Sequence, residues 1–128
     1  MIHILIVDDD PHMRLALRVV LAQDARAIHE AHNGTEGLAY IFSNPPHIVF
    51  TDQMMSGHTG TELIKETLAR RVTPEPSFIF TSATRALDEE VTQLATVYPL
   101  HILHKPFTIE AVETLVSTVI AEREPIQT

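Results

Sequence analysis

Four apolar runs in this 128-residue chain each lead into an acid, a hydroxyl or an amine. Ile4-Leu5-Ile6-Val7 runs into Asp8 and Asp9, Ile48-Val49-Phe50-Thr51 into Asp52, and Phe78-Ile79-Phe80 closes on Thr81. Ile102-Leu103 is followed by Lys105, which precedes Pro106. The runs are continuous rather than alternating, the pattern of strands buried on both faces in a parallel sheet. The carboxyl ends of such strands share one edge of the sheet, where open α/β sheets place their ligand sites. Three carboxylates, one hydroxyl and one ammonium are therefore expected to converge there.

Segments of helical period separate these runs. Ile2 to Val7 reads as the first strand, and Asp10-Pro11 as a helix start with Asp10 capping. That helix is predicted to about Gln23, with Met13, Leu17, Val20 and Leu21 on one face. Arg26 to Ala31 follows as a weaker strand, Asn33-Gly34 as a turn, and Thr35 to Phe42 as a helix. His47 to Thr51 is the third strand. A loop from Asp52 to Gly60 leads to a helix over about Thr61 to Arg71, broken by Thr73-Pro74-Glu75-Pro76. Ser77 to Thr81 is the fourth strand, and Ala86 to Thr96 a helix using Leu87, Val91, Leu94 and Ala95 for packing. Pro99 ends it, Leu100 to Leu103 is the last strand, and Thr108 caps a final helix to about Glu122. Five strand–helix units in succession predict a parallel sheet with right-handed crossovers.

Length and composition fit a single α/β domain. It is expected to occupy residues 1–123, leaving 124–128 as a tail or the start of a linker. A net charge of −8 argues against direct nucleic-acid binding, which needs basic patches to neutralise phosphates. Cysteine is absent, which removes disulfides and thiolate metal sites. No apolar stretch approaches the roughly 20 residues that span a bilayer. No basic region precedes the first strand, so a cytoplasmic location without membrane association is expected.

Clustered carboxylates repel one another, so they must either stay partly protonated or bind a cation. An all-oxygen ligand set with open positions suits Mg²⁺. A carboxylate can also attack phosphorus and form an aspartyl phosphate. Charge on a transferring phosphoryl group then requires fixed cations and donors, roles that suit Lys105 and Thr81.

Val7-Asp8-Asp9-Asp10, Asp52-Gln53-Met54-Met55, Phe80-Thr81-Ser82 and Lys105-Pro106-Phe107 closely resemble, in this order, the motifs of the receiver domain of bacterial two-component response regulators. The resemblance implies a five-stranded parallel sheet of order 2-1-3-4-5 with helices on both faces, a flavodoxin-like doubly wound fold. It implies that Asp52 is the phosphoacceptor, supplied by a sensor histidine kinase or phosphotransfer protein, so the chain is a signalling switch rather than an enzyme. Asp8, Asp9, Asp52 and the backbone carbonyl of Met54 would hold Mg²⁺. Thr81 and Lys105 would meet the phosphoryl group, with a cis bond before Pro106. An unknown output protein or domain would read the last helix–strand–helix unit, roughly residues 86 to 122. A homodimer on that surface is compatible with the sequence but not required by it.

Several positions depart from the family pattern. Ser56 stands where proline is usual, Tyr98-Pro99 replaces a Gly-Ala turn, and Ile102 occupies a position commonly aromatic, which puts the usual threonine–aromatic coupling in doubt. Tyr98 is expected to pack rather than substitute for that aromatic. Met54 and Ala83 flank the expected route of a hydrolytic water and cannot orient it, which predicts slow loss of the phosphoryl group.

Two other functions compete: a phosphorylation-independent interaction module, and an aspartate-nucleophile phosphatase using Asp8 and Asp10. The second has His12 where its motif usually carries Thr or Val, and it leaves Asp52 without a role. A nucleotide or flavin module is disfavoured because the first loop is acidic and lacks glycine. The pairs His29/His32 and His101/His104 read as scattered surface or packing residues, since a strand does not place i and i+3 on one face.

Overall fold

The computed structural model describes residues 1–83 and 89–123. The elements alternate: β1 (Ile2–Val7), α1 (Pro11–Leu21), β2 (Arg26–Ala31), α2 (Gly34–Ser43), β3 (Ile48–Asp52), α3 (Gly60–Ala69), β4 (Ser77–Ser82), α4 (Glu89–Ala95), β5 (His101–His104) and α5 (Ile109–Arg123). All strand pairs are parallel, and the order is β2-β1-β3-β4-β5, as expected. The expected helix start at Ala86, the packing role of Leu87 and the segment 124–128 lie outside the described residues.

The continuous apolar strands divide their side chains between two cores. Leu5, Val7, Val49, Phe78 and Phe80 point to one face, where they meet α2, α3 and α4 through Leu38, Ile41, Leu63, Ile64, Val91 and Leu94. Ile4, Ile6, Ile48, Phe50, Ile79 and Leu103 point to the other, against Leu17 and Leu21 of α1 and Val112, Val116 and Val119 of α5. Because successive residues face opposite sides, one strand feeds both layers, which is why no alternation with polar residues appears. Of the residues expected to pack from α4, Ala95 is exposed; the helix is short enough that Val91 and Leu94 complete its buried face.

Caps set the helix starts. Asp10 accepts from the His12 N–H with Pro11 in the first turn, and Thr59 with Glu62 forms a reciprocal capping box on α3. The Thr108 hydroxyl accepts from Ala111 N–H at 3.0 Å at the start of α5. Asn33 acts as the cap of α2, with Gly34 already helical, so the expected turn is the helix entrance itself. Gly34 is needed there: its N–H donates to Ser56 O at 3.2 Å, and a methyl group at that position would collide with the His58 carbonyl. The loop after β3 is thereby held against α2.

Tyr98 packs edge-on against Phe78 with ring centroids 6.5 Å apart, and its hydroxyl donates to Glu75 Oε2 at 3.2 Å. It sits near the amino-terminal end of β4, away from Thr81, and its role is packing. Burial and the Glu75 carboxylate hold its phenol well above the ordinary range. Arg123, at the end of α5, donates to Glu75 O and to Ser77 Oγ at 2.6 and 3.0 Å.

The histidines are less scattered than the sequence spacing suggests. His3 of β1 donates its N–H to His47 Nδ1 at 2.9 Å, and its ring meets His29 of β2 with nitrogens 3.3 Å apart. Tyr40 of α2 lies 5.2 Å from the His29 ring. Burial, then the neighbouring His3 and Arg18, holds the His29 imidazole below its ordinary value. The unfolded chain therefore takes up more protons than the folded one as pH falls through 6.5. Stability is expected to be full above that pH and to decline below it. His29→Gln should flatten this slope while costing about 1 kcal/mol at neutral pH from the lost ring contact, measured by urea unfolding across pH 5 to 8 as an order-of-magnitude window around the histidine range.

Candidate functional site

Three strand ends deliver the charged centre. Lys105, following β5, places its Nζ 3.9 Å from Asp8 Oδ2 and 3.6 Å from Asp52 Oδ2. The Asp8 side chain is 2% exposed and that of Asp52 26%, so an incoming group meets Asp52 first. Thr81 pairs with Asp52 in register across β3 and β4, which makes the two residues neighbours at the carboxyl edge of the sheet. The Lys105 N–H donates to Ser82 O at 2.7 Å, tying the lysine loop to β4, and the Lys105–Pro106 peptide is cis. Thr73–Pro74 is cis as well.

The carboxylates are held unequally. Asp8 Oδ1 accepts from Asp10 N–H at 2.9 Å, and Arg14 donates to the Asp8 carbonyl at 2.7 Å. Burial raises the Asp8 carboxyl above its ordinary value; the Asp10 N–H and Lys105 oppose this, while the charges of Asp52 and Asp9 add to it. Asp52 Oδ1 accepts from the Gln53 N–H at 2.7 Å, which leaves Oδ2 turned toward Lys105. Asp9 is exposed at the rim, and Asp10 is committed to its cap. Met54 is 70% exposed and Ala83 is exposed too.

Asp8 Oδ2 and Thr81 Oγ1 are buried polar atoms without a hydrogen-bond partner in the protein. Such atoms are uncommon in a folded chain, and a water, an ion or a ligand can complete their bonding. No three His, Asp or Glu side chains among the described residues form a group able to hold a metal by themselves. Asp8 and Asp52 supply two carboxylates, a set that suits Mg²⁺, an ion that keeps several waters and takes one or two protein carboxylates.

Two contributors were not legible in the sequence. Gln53 is 7% exposed, orients Asp52 through its backbone N–H, and its side chain binds Thr61 on α3. Arg14 braces the Asp8 backbone and pairs with Glu30 of β2 at 3.2 Å. A polar residue inside a loop and an arginine on a helix carry no local mark of such roles; both depend on contacts distant in sequence.

A half-buried ammonium thus lies between two carboxylates at the carboxyl edge of a doubly wound sheet, with the strand-end Thr81 on the neighbouring strand. Residues 4–117 match the family model of the response regulator receiver domain, and the chain belongs to that family. It is 31% identical over 121 residues to a probable chemotaxis protein CheY of Rhizobium etli, covering 92% of each. It is 30% identical over 108 residues to the uncharacterized transcriptional regulatory protein YkoG of Bacillus subtilis, covering 84% of this chain and 46% of that one. The chain thus spans one relative almost entirely and about half of the other. Among solved structures, chemotaxis response regulator CheY4 of Vibrio cholerae superposes with a TM-score of 0.81 at 21% identity, over 94% of this chain and 99% of that one. A CheY-like receiver protein of Methanospirillum hungatei gives 0.74 at 26% identity, over 91% and 95%. No helix among the described residues is long and apolar enough to cross a membrane.

The strained charge state of Asp8 has a measurable consequence. With no metal present, Asp8→Asn should raise the melting temperature, because it removes a buried charge that is only partly compensated. The same change should weaken Mg²⁺ binding by about tenfold or more through loss of an oxygen anion; calorimetric melting and Mg²⁺ titration read the two effects.

Proposed function

We propose that this domain is a phosphorylation-dependent switch in which Asp52 accepts a phosphoryl group from a sensor histidine kinase or phosphotransfer protein. The observation that carries this reading is the asymmetry of the Asp52 carboxylate: Oδ1 is fixed by Gln53 N–H, and Oδ2 faces Lys105. Oδ2 attacks phosphorus, the bond from phosphorus to the donor breaks, and its electron pair leaves with the donor. Lys105 then meets the charge gathered on the phosphoryl oxygens, and the Thr81 hydroxyl gains the acceptor it lacks. Asp8, Asp9, Asp52 and the Met54 carbonyl would hold Mg²⁺, which when bound supplies positive charge to the transferring group.

Contacts made only by the phosphorylated form bias an equilibrium between two conformations, and the face of α4, β5 and α5 is where an output protein or domain reads it. Residues 1–123 form the switch unit, with 124–128 as tail or linker, acting in the cytoplasm without direct contact to nucleic acid. The phosphatase reading gains no support, because Asp10 is occupied as a helix cap.

Incubation with acetyl phosphate and Mg²⁺ should add one phosphoryl mass to the intact protein, and Asp52→Ala should abolish it. A gain in mass that survives in that variant overturns the assignment; no gain in folded wild type favours the phosphorylation-independent module. Because Met54 and Ala83 cannot hydrogen-bond a water, the modified protein should lose phosphate slowly. Met54→Asn should speed that loss by roughly tenfold, as restored orientation of the attacking water would, read by mass spectrometry over time.

A further inference from the structure

Gln53 is engaged at every hydrogen-bonding group it has. Its N–H donates to Asp52 Oδ1 at 2.7 Å, and its carbonyl accepts from Gly60 N–H at 3.1 Å. Its side-chain Oε1 accepts from Thr61 N–H at 2.8 Å, and its Nε2 donates to Thr61 Oγ1 at 3.0 Å and to Glu90 Oε2 at 3.5 Å. Thr61 is fully buried and passes its own hydroxyl proton to Glu90 Oε2 at 2.9 Å. An unbroken path of hydrogen bonds therefore runs from the phosphoacceptor carboxylate, through the start of α3, to the first turn of α4.

We propose that the Gln53–Thr61–Glu90 chain carries the state of Asp52 to α4, in a protein whose Ile102 lacks the aromatic ring that its relatives commonly turn inward. The inference rests on Asp52 being the phosphoacceptor. Before transfer, the Gln53 N–H bonds a charged carboxylate oxygen. Once Oδ2 is bonded to phosphorus, Oδ1 becomes the carbonyl oxygen of an acyl phosphate and loses its share of the negative charge. The bond from Gln53 then changes from charge-assisted to neutral, roughly halving in strength. Gln53 cannot shift alone, since its carbonyl and amide are tied to Gly60 and Thr61. Relaxation of the 52–53 peptide is thus transmitted to the Thr61 hydroxyl and to its acceptor on α4. Ile102 is packed against the core under α2, α3 and α4, and an aliphatic side chain offers no hydroxyl or ring edge for a competing route.

The test uses beryllofluoride with Mg²⁺ as the phosphoryl mimic and amide NMR shifts as readout, in wild type, Thr61→Val, Thr61→Ser and Glu90→Ala. In wild type, amides at Asp52, Thr81 and Lys105 and those from Val91 to Ala95 should all respond. In Thr61→Val and Glu90→Ala the site amides should still respond, while the α4 response falls to about half or less of wild type. Thr61→Ser keeps the hydroxyl and should restore it. Glu90 is an exposed position, so its variant decides the matter even where Thr61→Val does not fold. An α4 response in Glu90→Ala equal to wild type overturns the proposal while leaving the phosphoacceptor assignment standing. Silence of the site amides in wild type instead removes that assignment, and the relay with it.

Discussion

The charge balance of the site depends on one ammonium group. Lys105 stands between Asp8 and Asp52, and without its charge two carboxylates from adjacent strands would face each other at the buried end of a sheet. Burial already works against ionisation of Asp8, and Lys105 is one of only two influences that oppose it. The arrangement is a compromise rather than a stabilising contact. Ion pairs at these distances in a partly buried site recover little more than the desolvation they impose, and Asp8 Oδ2 is left without a hydrogen bond. What the site gains is readiness: the Asp52 carboxylate, the compensating cation and the unsatisfied Thr81 hydroxyl are held in place by the protein alone.

That readiness is possible because the sheet beneath does not yield. Each strand contributes side chains to both cores, and Ile4 through Val7, Ile48 through Phe50 and Phe78 through Phe80 are almost fully buried. Interiors of this density transmit displacement instead of absorbing it. Above the sheet, at its carboxyl edge, lie the loop after β3, the lysine loop and the short α4. The loop after β3 is itself bound on two sides, to α2 through Gly34 and to α3 through Gln53. A change at Asp52 therefore has few directions in which to spread.

Much of this was legible in the sequence because the governing signals are local. Continuous apolar runs announce strands buried on both faces, Asp10-Pro11 announces a helix start, and five repeats of the unit leave few topologies. The convergence of Asp8, Asp52, Thr81 and Lys105 follows from topology alone, since strand ends on one edge must be neighbours. What escaped was whatever needs two distant segments to meet. His3 and His29 of two strands meet His47, which precedes a third, and their spacing carries no hint of it. Gln53 looks like an ordinary loop residue until α3 and α4 are placed around it. Ala95 fits a helical stripe, yet a seven-residue α4 needs only Val91 and Leu94 to cover the sheet.

At the other end of the molecule, Arg123 binds the Glu75 carbonyl and Ser77, so the foot of α5 is fastened to the beginning of β4. Tyr98 meets the same Glu75 through its carboxylate, and the three segments are joined at one corner. Sliding α5 along the sheet would break both of these bonds, whereas a tilt about the corner would keep them. Displacement at the site edge would then appear at α5 as an angle, greatest at Ile109 and vanishing toward Arg123. Any motion that kept this corner intact would therefore turn α5 about its foot, like a door on its hinge, and would open widest at its amino-terminal half.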